Sequence, residues 1–201
     1  KNNVKYCFSG HETFSCRSYW PKKGFDFIKN NNKFTDKDAL VNLGVGKNMV
    51  SSIKHWLKAF DILTHEGSIS KFWNSILDKK GYDPYLENKG TLWLLHYFIV
   101  KTNYASSYNE LFNNFRKEKI EFVRSQFKNF ISTKLDLQGF KNYTSNTLEK
   151  DINVLLKNYC YTNSIKHNLE DDLSSLLIDL ELIERVEVSF SSEQYYSFNV
   201  S

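Results

Sequence analysis

A chain of 201 residues with sixteen Phe, twelve Tyr and 41% hydrophobic residues holds material for a sizeable core, which argues against disorder. Eight Gly and two Pro are few turn formers and argue against a hairpin-rich fold, and three cysteines without CxxC spacing argue against a disulfide scaffold. The net charge of +4 is unevenly spread: residues 1–80 hold 14 basic and 7 acidic side chains and carry the excess, while residues 81–201 are net acidic, so contact with phosphates or an acidic partner is expected in the first part.

The opening residues contain a polar knot, Ser9, His11, Glu12 and Thr13, followed by Arg17. A His beside a Glu can do acid–base work, and an Arg can clamp phosphate or carboxylate. Adjacent residues rarely aim at one substrate, however, and no second carboxylate cluster points to a metal-dependent nuclease. The expected role of the knot is a hydrogen-bonded loop that pins the N-terminus onto the first lobe. A hydrolase centred on His11 and Glu12 is the lesser alternative, and no catalytic residue is assigned. Cys7, His11 and Cys16 lack a fourth ligand at a usual spacing, so neither a metal nor another cofactor is expected.

Residues 35–63 carry the strongest pattern. Thr35 or Asp36 can cap a short helix with Ala39, Leu40 and Leu43 on its apolar face. Gly44 can take a positive φ and end it, and Gly46 keeps the turn tight around Val45. A longer helix follows with Met49, Val50, Ile53, Trp56, Leu57 and Phe60 as one stripe. The opposite face is polar: Lys47, Ser51, Lys54, His55 and Lys58, with Asn48 at its N-terminal edge. This is a helix-turn-helix pattern, and Lys47, Asn48, Ser51, Lys54, His55 and Lys58 are the expected nucleic-acid contacts, the first two on base edges and the later ones nearer phosphates. The glycines do not make a phosphate-binding loop, because Val41 and Asn48 stand where that motif needs Gly and Ser or Thr.

Ile62, Leu63 and Ile69 around Gly67 read as a short wing, with His65 and Lys71 at its edge, and Phe72, Trp73, Ile76 and Leu77 as a covering helix. The turn-rich residues 78–90 mark a boundary between lobes at 1–80 and 81–201. Residues 91–100, apolar all round, predict a buried helix with His96 as a satisfied core histidine; the run is too short to cross a bilayer, no signal peptide is seen, and a cytoplasmic location without membrane contact is expected. In the second lobe, Tyr108, Leu111, Phe112 and Phe115 predict one helix, and Ile120, Val123, Phe127, Phe130 and Ile131 a longer one. Asn146 and Glu149 read as a capping box for a helix burying Leu148, Ile152, Leu155, Leu156 and Tyr159. Leu173, Leu176, Leu177 and Leu180 mark a last helix. Val186, Val188 and Phe190 alternate, as do Tyr196, Phe198 and Val200, which predicts a hairpin. The fold class expected is mainly α with short β-hairpins, in a tandem winged-helix/helix-turn-helix architecture. The acidic residues 170–193 turn the second wing toward a protein partner or the basic lobe rather than DNA.

The motifs FSGHETF at 8–14, LGVGKNMV at 43–50, DPYLE at 83–87 and LWLLH at 92–96, with Arg17, Trp20 and Lys23–Gly24, resemble the prokaryotic domain-of-unknown-function family 4007. The resemblance implies a winged-helix protein from mobile defence regions. It also implies neighbours resembling phosphoadenosine phosphosulfate reductases and the sulfur-inserting machinery of DNA phosphorothioation. It implies no catalytic residues. The expected function is a DNA-binding accessory subunit of an antiviral defence or DNA-modification system of the phosphorothioation type. Its expected partners are double-stranded DNA and a phosphoadenosine-phosphosulfate-reductase-like or other defence enzyme. The alternative is a protein–protein adaptor whose winged-helix units dock proteins and touch no DNA.

Overall fold

The 3.6-residue periodicity after Gly46 is realised as a thirteen-residue helix whose apolar stripe enters the centre of the molecule. In the computed structural model, which describes residues 6–161, 175–188 and 193–199, that helix is α3 (Lys47–Ala59). Ile53, Trp56, Leu57 and Phe60 are buried on it, and α1 (Trp20–Lys29) packs alongside through Gly24. A Cβ at Gly24 would lie 2.6 Å from Leu57 and 2.8 Å from Ile53, so the absence of a side chain sets how closely the two helices approach. Between them lies α2 (Ala39–Leu43), closed by Gly44 at φ 59°. It buries Ala39 and Leu43 only. Leu40, expected inside, is on the surface, and Val41 is 80% exposed. Asp36 does not cap α2; its carboxylate accepts the Lys33 N–H, and the N-cap position falls at Asp38.

Leu63 and Ile69 form an isolated antiparallel bridge around the Gly67 turn, as the sequence predicts. Helix α4 (Lys71–Leu77) follows and buries Trp73 and Leu77. The Asp83 carboxylate then accepts the N–H groups of Glu87 and Asn88 at 2.9 and 3.0 Å, and Leu86 takes φ 60°. The DPYLE motif is thus the turn that aims α5 (Lys89–Thr102). This helix departs from expectation. Leu92, Leu95 and Ile99 are buried, but Trp93 and Tyr97 stand on its outer side, 45% and 51% exposed. His96 is a satisfied histidine, its Nδ1 2.8 Å from the Tyr159 hydroxyl.

Residues 106–117 form one helical rod that changes pitch: α6 (Ser106–Asn109), a π segment (Glu110–Asn114) and a 3-10 turn (Phe115–Lys117). The π segment holds the buried Glu110 carboxylate on Lys134 at 2.7 Å. The next helix starts later than predicted, because residues 121–123 are strand β1 (Glu121–Val123) and Ile120 is exposed; α7 (Arg124–Leu137) and α8 (Ser145–Tyr159) follow. The cap of α8 is Thr144, whose hydroxyl accepts the Thr147 N–H at 3.0 Å, in place of an Asn146–Glu149 box. Glu149 pairs with Lys128 instead.

Leu180 lies in a short 3-10 turn (Ile178–Leu180) rather than in the last helix expected, and Leu173 lies outside the described residues. Strands β2 (Ile183–Val186) and β3 (Tyr195–Phe198) pair antiparallel, with Ile183 opposite Phe198. The pairing sits upstream of the predicted alternation, and Phe190 and Val200 lie outside the described residues. Strand β3 is central, in the order β1-β3-β2. The protein is therefore mainly helical with a small three-stranded antiparallel sheet. One apolar core runs unbroken from Tyr6 through α3, α5 and α8 to Phe198, and a smaller cluster of Phe27, Ala39, Leu43 and Val50 lies under the glycine turn. No helix among the described residues is long and apolar enough to cross a membrane.

Candidate functional site

The exposed start of α3 is built by the two glycines that precede it, Gly44 and Gly46. Gly46 is extended at the N-cap and offers no side chain, so the first N–H groups of α3 face solvent without a side-chain cap. Lys47, Asn48 and Ser51 are exposed there, and Lys54 and Lys58 are half-buried further along. No acidic residue lies in the first turn. Lys47, Lys54 and Lys58 make no ion pair with any described residue, and the Lys58 ammonium sits 5.9 Å from the Tyr104 ring. Uncapped N–H groups, the positive end of the helix and free lysines make this a surface receptive to anions.

His55 does not belong to that surface. It is 5% exposed, packed against Trp56 and Tyr104, with Nε2 unpartnered. Burial, with the nearby His11 adding to it, lowers its pKa to about 3. A neutral ring in the core cannot reach a phosphate, so His55 is removed from the expected contacts. The cause is tertiary: the N-terminal segment covers that part of α3.

This segment is a strap held at several points. Cys7 exchanges bonds with Ser106 at the start of α6. Ser9 N–H donates to the Asp151 carboxylate at 2.8 Å, the Ser52 hydroxyl donates to the His11 carbonyl at 3.0 Å, and Cys16 N–H donates to the Asn158 side chain at 2.8 Å. The strap thus ties α3 to α6 and α8, further than the first lobe to which the sequence assigns it. His11 is 5% exposed and both ring nitrogens are engaged: Nε2 lies 2.8 Å from Asp151, and Nδ1 accepts the Thr13 N–H at 3.1 Å. That acceptor role at Nδ1 puts the proton on Nε2, donating to Asp151. Glu12 and Thr13 point to solvent, so His11 pairs with Asp151 and not with its neighbour Glu12. Arg17 stacks 5.5 Å over Trp20 and donates to the Tyr19 hydroxyl, apart from the His11 pair.

The loop is strained. Ser9, Glu12 and Thr13 take φ of 69°, 48° and 67°, and Gly10 takes 96°. A Cβ at Gly10 would stand 2.7 Å from His55 Nδ1. Gly10→Ala is therefore expected to cost about 2 kcal/mol, from left-handed strain and this clash. A thermal melt lower by about 4–8 °C would register it; an unchanged melt would contradict the packing described.

Asp151 and Asn158 are the residues that reading the sequence missed. Both sit on the buried face of α8, three residues after Leu148 and Leu155. Polar side chains in an apolar stripe were the available signal, since buried polar groups need partners. Among the described residues no group of three or more His, Cys, Asp or Glu converges as a metal site would require.

Fold and site together define a mainly helical protein in which an N-terminal strap ties the basic helix α3 to α6 and α8, with a small three-stranded sheet. The chain belongs to the family described as "Protein of unknown function (DUF4007)", whose profile matches residues 8–201. It is similar to two crystal structures of SspB, one of them with magnesium ion bound, at 27% identity and TM-scores of 0.82 and 0.81. Each match covers 98% of this chain and 61% of the SspB chain, so the chain spans less than two thirds of the length of those structures. No curated protein matches the sequence.

Proposed function

We propose that this chain is a DNA-binding accessory subunit of a prokaryotic antiviral defence or DNA-modification system of the phosphorothioation type. It works in the cytoplasm and brings a partner enzyme, a phosphoadenosine-phosphosulfate-reductase-like protein or another defence enzyme, to double-stranded DNA. The observation that carries this is the free N-terminal half of α3, with Lys47, Asn48 and Ser51 exposed, an uncapped start and no acidic residue in its first turn. Helices α1, α2 and α3 followed by the Leu63–Ile69 bridge support reading the first lobe as a winged helix with α3 as recognition helix. Exposed Val41 beside it offers an apolar contact for a thymine methyl group.

Among the described residues of the second lobe, 81–201, the helical stretch from α5 to Lys117 is followed by β1, α7, α8, β2 and β3 with β3 central, which supports a second winged-helix unit. Helix α8 lies under the strap through Asp151 and Asn158. That burial favours the partner-facing role for this lobe. Carried to both lobes, it gives the second reading, an adaptor with no direct DNA contact.

Binding to phosphorothioated and unmodified duplexes across a salt series tests the proposal. Replacing Lys47, Lys54 and Lys58 together by Ala should weaken binding by about tenfold or more and lower the salt slope by about 0.9 for each phosphate that is no longer neutralised. An unchanged midpoint overturns DNA contact by α3. Partner capture that survives both nuclease and the triple replacement supports the adaptor.

A further inference from the structure

Helix α5 carries a row that duplex binding by α3 leaves unused. Lys89, Trp93, Tyr97 and Lys101 are spaced four apart and all four are exposed. At 1.5 Å rise per residue the row spans about 18 Å. Trp93 and Tyr97 are 45% and 51% exposed in its middle, and the Lys101 ammonium lies 5.2 Å from the Tyr97 ring. Phe72, 42% exposed, widens the aromatic surface through Phe98, whose ring is 5.3 Å from both Phe72 and Tyr97. No acidic residue occurs in α5, and Lys89 and Lys101 make no ion pair with a described residue. At the Lys89 end, Arg116 lines a cleft with Trp93 in which Glu181 is the one carboxylate among the described residues.

We propose that this face of α5 binds single-stranded nucleic acid, its bases stacked on Trp93 and Tyr97 and its phosphates drawn by Lys89, Lys101 and Arg116. Aromatic faces open to solvent suit unpaired bases, which a duplex keeps stacked within itself. Unanswered cations at both ends call for an anionic occupant, whereas the centre of a protein interface is depleted of lysine. The site lies on a different helix from the duplex-binding surface of α3, and neither reading depends on the other.

The structure supplies the probe. Trp20, Trp56 and Trp73 are at most 1% exposed, so Trp93 is the one tryptophan of the four that a ligand can stack on. Titration at low salt with an oligothymidylate of about ten nucleotides should quench tryptophan fluorescence. The Trp93→Ala/Tyr97→Ala variant, checked for an unchanged melt, should bind that strand about tenfold or more weakly by anisotropy. It should keep its duplex affinity, and the Lys47, Lys54 and Lys58 replacements should leave single-strand binding intact. Three results overturn the proposal: no quench and no anisotropy change in the wild type; an unchanged single-strand affinity in the double variant; or a dimer that the double variant dissociates, which would put a second copy on this face.

Discussion

Replacing Asp151 by Ala should destabilise the protein by about 3 kcal/mol, because the buried His11 ring and the part-buried Ser9 N–H lose their acceptor together. The carboxylate receives both the Ser9 N–H and His11 Nε2 at 2.8 Å, and it is 4% exposed. Leaving the buried His11 donor unmade carries the larger share, about 1–3 kcal/mol, and the Ser9 N–H adds a smaller one. For a chain of this size the melt should fall by about 6–12 °C. Asp151→Asn keeps one acceptor oxygen and should cost less than half as much. A double-mutant cycle with His11→Ala isolates the pair, and a coupling below about 0.5 kcal/mol would show that the interaction is incidental. Amide exchange in residues 9–14 should accelerate in Asp151→Ala, since the strap is held to α8 there.

This pair also shows where the sequence is legible. The stripe of α3 was readable because six apolar residues repeat at three and four, and Ile53, Trp56, Leu57 and Phe60 are buried as that repeat demands. His55 was not readable. It falls at the margin of the stripe, and the strap, more than forty residues earlier, and Tyr104, about fifty later, cover this margin. The same holds for α5. Uniform hydrophobicity predicts uniform burial, but it cannot tell core leucine from surface aromatic, and Trp93 and Tyr97 lie on the side that no described element covers. Strand β1 was missed because three residues are too few to show alternation, and Val123 fits the helical spacing to Phe127. Its strand state comes from pairing with β3, more than seventy residues later. Local patterns fixed element types where one helix decides its own environment. Contacts made at long range fixed the rest.

Lowering the pH from 6.5 to 5 should reduce folding stability by up to about 1.4 kcal/mol per pH unit for each of two histidines, His55 and His96. Burial, then His11, lowers the His55 pKa to about 3; burial, then Arg116, lowers that of His96 to about 4. In the unfolded chain both rings titrate near 6.5. Below that pH the unfolded state takes up two protons that the folded state refuses until about pH 4 and then about pH 3. The stability is therefore complete above 6.5 and is lost as pH falls through this window. Ordinary carboxylates stay largely ionised above pH 5, so the upper part of the window reports the histidines. In urea unfolding at pH 6.5, 6.0, 5.5 and 5.0, His96→Gln should lose about half of the wild-type slope. An equal slope in both proteins would mean that His96 is protonated while folded. The same chemistry separates stability from binding. Because His55 is neutral and buried, duplex affinity between pH 6 and 8 should follow Lys47, Lys54 and Lys58 and show no inflection that His55→Asn removes. Such an inflection would place the ring on the DNA and restore it to the α3 surface.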